Sequence, residues 1–253
     1  MKILLLSLLL LPINADAFWA RAVRFSGTAA AFSPFDIVGS TVTNWYKADA
    51  GLNTSEPGAT ITTWADSSGS AYSSTLNSTA GTIKVSSITQ NGISMVYCDG
   101  SSQMGGSNKT DVAQPHTWFL VFRPTAWTSA GTYQFIVQME ADVQQLRKRG
   151  TLLTVEFYAG TAIDGGTINN NTTTMLTTIF NGASSSLAIN GGAPTTGNAG
   201  TNGSTSYPVI CAASAGLYRY TGFIMEWLVY SGALSAADQT TVRNHLNSKW
   251  AIY

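Results

Sequence analysis

The chain has 253 residues, of which only 10% are charged, with 13 basic side chains balanced by 13 acidic ones. Such a neutral chain, without Lys/Arg clusters, lacks the electrostatic footprint of a nucleic-acid binder or of a protein that sits on anionic membrane. Its length suits one all-β sandwich or barrel with an N-terminal extension, large enough to bury a core without disulfides.

The chain begins "MKILLLSLLLLPINADA": one Lys, an apolar run from Ile3 to Leu11, a break at Pro12 and a small-x-small site at Ala15–Ala17. This pattern predicts a secretory signal over residues 1–17, with an apolar arm retained against a partner as the alternative. The run is about half the ~20 residues needed to span a bilayer, so no stable membrane span is expected. Residues 18–36, "FWARAVRFSGTAAAFSPFD", are rich in aromatics and read as a linker or docking arm that packs on the domain or on a neighbour.

Strand signals follow, each bounded by turn residues. They are "VTNWYKAD" (42–49), "TITTWAD" (60–66), "GISMVYCDG" (92–100) and "HTWFLVFRP" (116–124). The last is apolar on both faces, which predicts a central, doubly covered strand ended by Pro124. Next come "TYQFIVQME", "LLTVEFYAG", "TTMLTTIFNG", "SSLAINGG" and "YPVICAAS", with Asn181-Gly182 and Asn190-Gly191 supplying hairpin turns. In "FIMEWLVY", strict alternation would put Phe223, Met225, Trp227 and Val229 on one face, opposite Glu226. Ser235, followed three residues later by Asp238, then caps a helix running to about Lys249, with Val242 and Leu246 facing the sandwich. Roughly ten to thirteen strands with short connections predict an antiparallel two-sheet jelly roll with a short C-terminal helix.

Few residues stand out as chemistry. "LRKRG" (146–150) reads as a solvated strand end or turn and not as a phosphate site. Cys98 and Cys211 lie in apolar segments and are either one disulfide or two buried thiols. His116 and His245 show no metal-ligand spacing. Trp64, Trp118, Trp227 and Trp250 are assigned to the core. Trp127, Tyr133, Tyr158, Tyr207, Tyr218 and Tyr220 are the loop aromatics available to stack on a sugar ring or pack a surface. If "GLYRY" is extended, Tyr218 and Tyr220 share one side and Arg219 takes the other.

Several segments, in order, resemble concanavalin A-like jelly-roll domains of the laminin-G/pentraxin type. "NWYKADAGL" and "TWADSSGS" are similar to that family's opening Trp strand and Trp-x-Asp-x-Ser-Gly turn. "YCDGSSQM", "TWFLVFRP" and "LAINGG" resemble its Phe-Asp-Gly strand, central strand and Asn-Gly hairpin. The ending, Gly222-x-x-x-Glu226 and "VYSGALSAADQTTVRNHLNSKWAI", resembles its closing strand, helix and stop, with Ala251 where a Gly is usual. The resemblance spans residues 37–253.

The resemblance implies a fold shared by lectins, glucanases, adhesion modules and phage virion proteins. The glucanase branch would need Glu-x-Asp-x-(x)-Glu on one strand. Here "QMEADVQQLR" offers Glu140 and Asp142, but Gln144 and Gln145 stand where the second Glu belongs, so a glycoside hydrolase is the minor expectation and catalytic residues are none. The relatives' calcium sites make Asp66, Asp99 and Asp164 candidate calcium donors, although Asp66-Ser-Ser-Gly and Asp164-Gly-Gly are also ordinary Asx-type turns. The expected function is thus a non-catalytic carbohydrate- or surface-binding module, secreted and extracellular, with a glycan or protein surface as partner. The alternative is a phage virion protein on the virion surface, docked to neighbouring capsid or tail subunits.

Overall fold

The computed structural model describes residues 32–107, 110–127, 132–139, 143–213 and 215–253. The predicted signal, most of the arm, and Glu140 with Asp142 lie outside these residues. The sandwich forms one compact unit beginning at Pro34, three residues before the resemblance starts. Phe35 already packs edge-on against Trp45 at 5.5 Å, and the carbonyl of Pro34 accepts a 2.8 Å bond from the Tyr230 hydroxyl.

Eighteen strands and one α-helix follow along the described residues. They are β1 (Val42–Lys47), β2 (Thr63–Trp64), β3 (Leu76–Ala80), β4 (Lys84–Gln90), β5 (Ile93–Asp99) and β6 (Gln103–Gly106). Next are β7 (Thr110–Val112), β8 (His116–Pro124), β9 (Gln134–Met139), β10 (Gln144–Lys148), β11 (Thr154–Tyr158) and β12 (Ala162–Thr167). The last are β13 (Thr174–Phe180), β14 (Ser185–Ile189), β15 (Thr195–Gly197), β16 (Ser204–Ser206), β17 (Pro208–Ile210), β18 (Thr221–Ser231) and α1 (Ala236–Trp250). Two eight-stranded sheets result. The first runs β15-β14-β13-β8-β18-β5-β4, with β1 also on β18; the second runs β12-β11-β10-β9-β17-β6-β3-β2. All their pairings are antiparallel, which makes the protein an all-β jelly-roll sandwich closed by a short helix.

The doubly apolar segment 116–124 is the central strand β8, between β13 and β18. Its inner face begins an aromatic seam between the sheets. Trp118 meets Phe180 at 4.8 Å and Trp227 at 5.2 Å, Trp227 stacks on Tyr46 at 5.7 Å, and Tyr46 meets Trp64 of the second sheet at 5.9 Å. The four tryptophans assigned to the core are all fully buried. Cys98 on β5 and Cys211, just after β17, are joined in a disulfide that links the first sheet to the second.

Alternation fails at one point in β18. The register runs Ile224↔Phe122 and then Glu226↔Val121, so Met225 is an extra residue in a bulge. A bulge flips the faces that follow it. Phe223 therefore joins Tyr97 and Arg123 on the outward face, whereas Trp227 enters the seam.

Part of the outward face of the first sheet, around Glu226, is covered by α1. Ser235 Oγ accepts from the Asp238 amide at 3.2 Å and donates to its carboxylate at 2.7 Å, which starts the helix as the sequence suggests. Val242, Leu246 and Trp250, at spacings of four, are its buried stripe. Glu226 anchors the helix. It is fully buried and accepts from the Trp45 indole at 2.6 Å, the Trp250 indole at 2.8 Å and Lys249 Nζ at 2.8 Å. Ala251 closes the helix in the left-handed region, at φ 47°, where the resembled family carries Gly.

Candidate functional site

The outward face of the second sheet carries no such helix. Its strands β9, β10 and β11 are aligned so that Gln145 faces Tyr158, and Arg147 faces both Phe135 and Glu156. Side chains on directly opposed residues share a face, so these five emerge together. The next residues inward, Leu146 and Phe157, are fully buried, and Phe157 reaches Phe180 of the other sheet at 6.1 Å. Tyr133, just ahead of β9, and Ala213, Ala215, Leu217 and Tyr218 complete a cleft of about 340 Å³ also lined by Phe135, Gln145, Arg147 and Tyr158.

Arg147 is its centre. Its guanidinium lies over the rings of Tyr133 (4.5 Å), Tyr158 (4.9 Å) and Phe135 (5.3 Å). Its edge donates to Glu156 Oε1 through Nε at 2.7 Å and again through Nη2, while Nη1 donates to Gln145 Oε1. Glu156 is only 1% exposed, and Arg149 approaches its second oxygen at 3.5 Å. Planar Arg suits this place because it can stack and donate at the same time, which a Lys ammonium cannot do. Tyr218 stacks on Phe135 at 5.6 Å with planes 17° apart, meets Tyr133 edge-on at 6.0 Å and remains 40% exposed, so its ring is backed on one face and still partly open. Among the described residues, no group bonds the hydroxyls of Tyr133, Tyr158 or Tyr218.

Three sequence candidates, Tyr133, Tyr158 and Tyr218, thus meet in one cleft. Trp127 and Tyr220 are corrected: both are core residues. Trp127 is 1% exposed, packs on Phe122 at 6.2 Å and Tyr220 at 6.4 Å, and its backbone is gripped by both ends of the Asn170 amide. Burial also raises the Tyr220 phenol well above its usual range. "GLYRY" is not extended. Tyr218 takes φ 53°, a left-handed turn that breaks the alternation and sends the two tyrosines in different directions. Tyr207 is half-buried and lines a separate groove with Gln103 and Val209.

The stretch read as a solvated strand end or turn, 146–150, is the end of β10 and its exit turn, but Arg147 and Lys148 are not solvated, and it supplies the central cation. Lys148 is fully buried, its ammonium donating to the carbonyls of Thr132 and Gly150, and this burial lowers its pKa. Arg147, Gln145, Phe135 and Glu156 were missed by sequence reasoning. The alternation of "QQLRK" and "TVEFY" was the available signal: Gln145 with Arg147, and Glu156 with Tyr158.

The three candidate calcium donors do not gather, and no group of three or more His, Cys, Asp or Glu among the described residues could hold a metal. Each carboxylate serves its own turn. Asp66 accepts from the Trp45 amide at 2.9 Å, the Ser68 amide at 2.8 Å and the Asn44 side chain at 2.9 Å, which locks the Trp-x-Asp-Ser-Ser-Gly turn to β1. Desolvation acts to raise the Asp99 carboxyl, but hydrogen bonds from Ser102 and Ser101 hold it below its usual range. Asp164 accepts from the Gly166 amide at 3.0 Å and lies 3.7 Å from Arg149. A calcium site built on these three does not fit the residues present. No helix among the described residues is long and apolar enough to cross a membrane.

No protein-family model matches the sequence, and no curated protein does. Solved structures do share the fold. The binding domain of botulinum neurotoxin serotype D/C superposes with a TM-score of 0.59 at 13% identity over 81% of this chain and 52% of that one, so the chain spans about half its length. Domain 4 of AbnA, an extracellular arabinanase of Geobacillus stearothermophilus determined with arabinotriose, gives 0.57 at 13% identity over 81% of this chain and 98% of that domain. The sialidase of Trypanosoma rangeli, determined with the inhibitor DANA, gives 0.53 at 10% identity, covering 79% of this chain and 32% of that one. At these identities the likeness is one of fold, a jelly-roll β-sandwich.

Proposed function

We propose that this chain is a non-catalytic carbohydrate-binding module of the laminin-G/pentraxin type, displayed outside the cell, that holds its glycan in the Tyr133–Tyr158–Tyr218 cleft. The observation that carries the reading is convergence. Tyrosines from three separate segments meet in one open cleft, with their hydroxyls unengaged among the described residues and one ring backed on one face and still partly open. Pyranose rings stack their C–H faces on such platforms, and phenol and amide groups then select among hydroxyls. The fold neighbours support the reading: the arabinanase domain was determined with arabinotriose, and cell entry of botulinum neurotoxin type C depends on interaction with two ganglioside molecules. The absence of hydrolysis is proposed from the same cleft. Its nearest described carboxylate, Glu156, is buried and committed to Arg147, where retaining hydrolysis needs two available carboxyls about 5 Å apart.

The test is titration of the full chain against a panel of immobilised oligosaccharides, with and without a chelator. Tyr218→Ala is expected to weaken binding about tenfold, the worth of one good aromatic contact, with little change in melting temperature. Chelator is expected to leave binding unchanged. Binding untouched by both Tyr218→Ala and Tyr158→Ala would move the ligand away from this cleft, and release of reducing sugar would make the chain an enzyme.

A second reading, a phage virion protein docked to neighbouring subunits, is favoured by Phe35 and Val38. These apolar side chains are 53% and 94% exposed where the proposed docking arm joins the sandwich. Intact mass separates the two: a chain starting at Met1 in a particle supports the docked arm, and one starting at Phe18 supports secretion.

A further inference from the structure

Among the described residues, Arg147 is the only charged one lining the cleft, and the simplest expectation would make it the receptor for an acidic sugar. Its surroundings argue against this. Three aromatic rings surround its guanidinium carbon at 4.5, 4.9 and 5.3 Å, and Glu156 and Gln145 accept from its N–H groups. A ligand carboxylate or sulfate would compete with Glu156 for the guanidinium, and Glu156, at 1% exposure, would be left with Arg149 at 3.5 Å as its remaining cation. The neighbouring charges are also matched. Arg149 lies against Glu156 and Asp164, at 3.5 and 3.7 Å. Lys148 is turned to two backbone carbonyls and does not line the cleft, and Arg219 donates to the Ser101 carbonyl. Among the described residues, the cleft therefore offers no cation free to take an anion. It offers aromatic surface and hydroxyls unengaged among the described residues.

We propose that the cleft selects neutral saccharides, with Arg147 as a positioning residue that holds Tyr133, Phe135 and Tyr158 as walls, because its charge is already paired with Glu156 and its Nη1 is held by Gln145. This rests on the glycan reading above. Neutral sugars lose no ionic hydration on entry and gain from stacking on Tyr218, whose far face is fixed by Phe135.

The full chain is titrated with neutral arabino-, gluco-, galacto- and manno-oligosaccharides and with sialylated and sulfated counterparts, at about 50 and about 500 mM salt, which spans strong and weak electrostatic attraction. Neutral ligands are expected to bind with less than about twofold change across that range, and the acidic counterparts more weakly. Tighter binding of acidic ligands, falling about tenfold or more with salt, would overturn the inference and leave the glycan reading standing. If no saccharide binds at either salt, both fall. Arg147→Lys keeps the charge but loses the planar stack, so neutral binding is expected to drop about tenfold in a chain that still melts cooperatively. Wild-type affinity in that variant would remove the positioning role. The salt series uses the unaltered chain and stands even if the variant misfolds.

Discussion

Glu226 and Glu156 are the same kind of residue in the same kind of place, each on the outward face of a sheet, 0% and 1% exposed and paired with a cation. Above Glu226 lies α1, and all of the carboxylate's partners belong to the scaffold: indoles from Trp45 and Trp250, and the ammonium of Lys249. Above Glu156 no helix packs. Its partner Arg147 lies among half-buried Tyr133 and Tyr158, and the result is a cleft. A buried acid on a sheet face is thus neither structural nor functional by itself. What covers it decides whether the face becomes a fastening or a binding surface.

The strongest test of this contrast is Glu226→Ala. It strands two buried indole N–H groups and frees Lys249, so unfolding free energy is expected to fall by about 3–5 kcal/mol in chemical denaturation, with glycan affinity unchanged in the folded fraction. A loss below about 1 kcal/mol would show that apolar contacts of α1, not the carboxylate, hold the helix.

His116 sharpens the comparison by supplying a buried titratable group held neutral. It stacks on Trp118 at 6.0 Å, and burial pushes its imidazole down to about 4. With the folded value below the unfolded one, the unfolded chain takes up the proton first. The stability held above pH ~6.5 is then lost as pH falls toward 4, by about 3 kcal/mol in all. Denaturation of wild type against His116→Phe should show this slope in the former and a flatter one in the latter. Equal slopes would return the acid sensitivity to the carboxylates.

The smallest expected effect lies at the end of the fastening. Ala251→Gly relieves a left-handed Ala and is expected to raise stability by about 0.5–1 kcal/mol in thermal denaturation, without touching the cleft. A loss would mean that the methyl packs usefully there.

Much of the fold was legible because its signals are local. β8 announces itself by being apolar on both faces, the hairpins by Asn-Gly, and the helix by Ser235, Asp238 and the Val242/Leu246 stripe. The strands that escaped notice, among them β3, β4, β10 and β12, are polar, and their strand character comes from neighbours in the sheet. The reading of β18 failed only at Met225, because a bulge changes face without changing composition.

The cleft divides in the same way. Sequence alone determined that the chain is a charge-poor β-sandwich with loop aromatics and a single acid in its closing strand. It also left the two cysteines with either fate. Tertiary structure decided that Cys98 and Cys211 pair, that Tyr133, Tyr158 and Tyr218 meet around Arg147, and that Trp127 and Tyr220 do not join them. The physical reason is that alternation and turn chemistry act over a few residues. Strand register and one left-handed residue at Tyr218 set which distant side chains share a face.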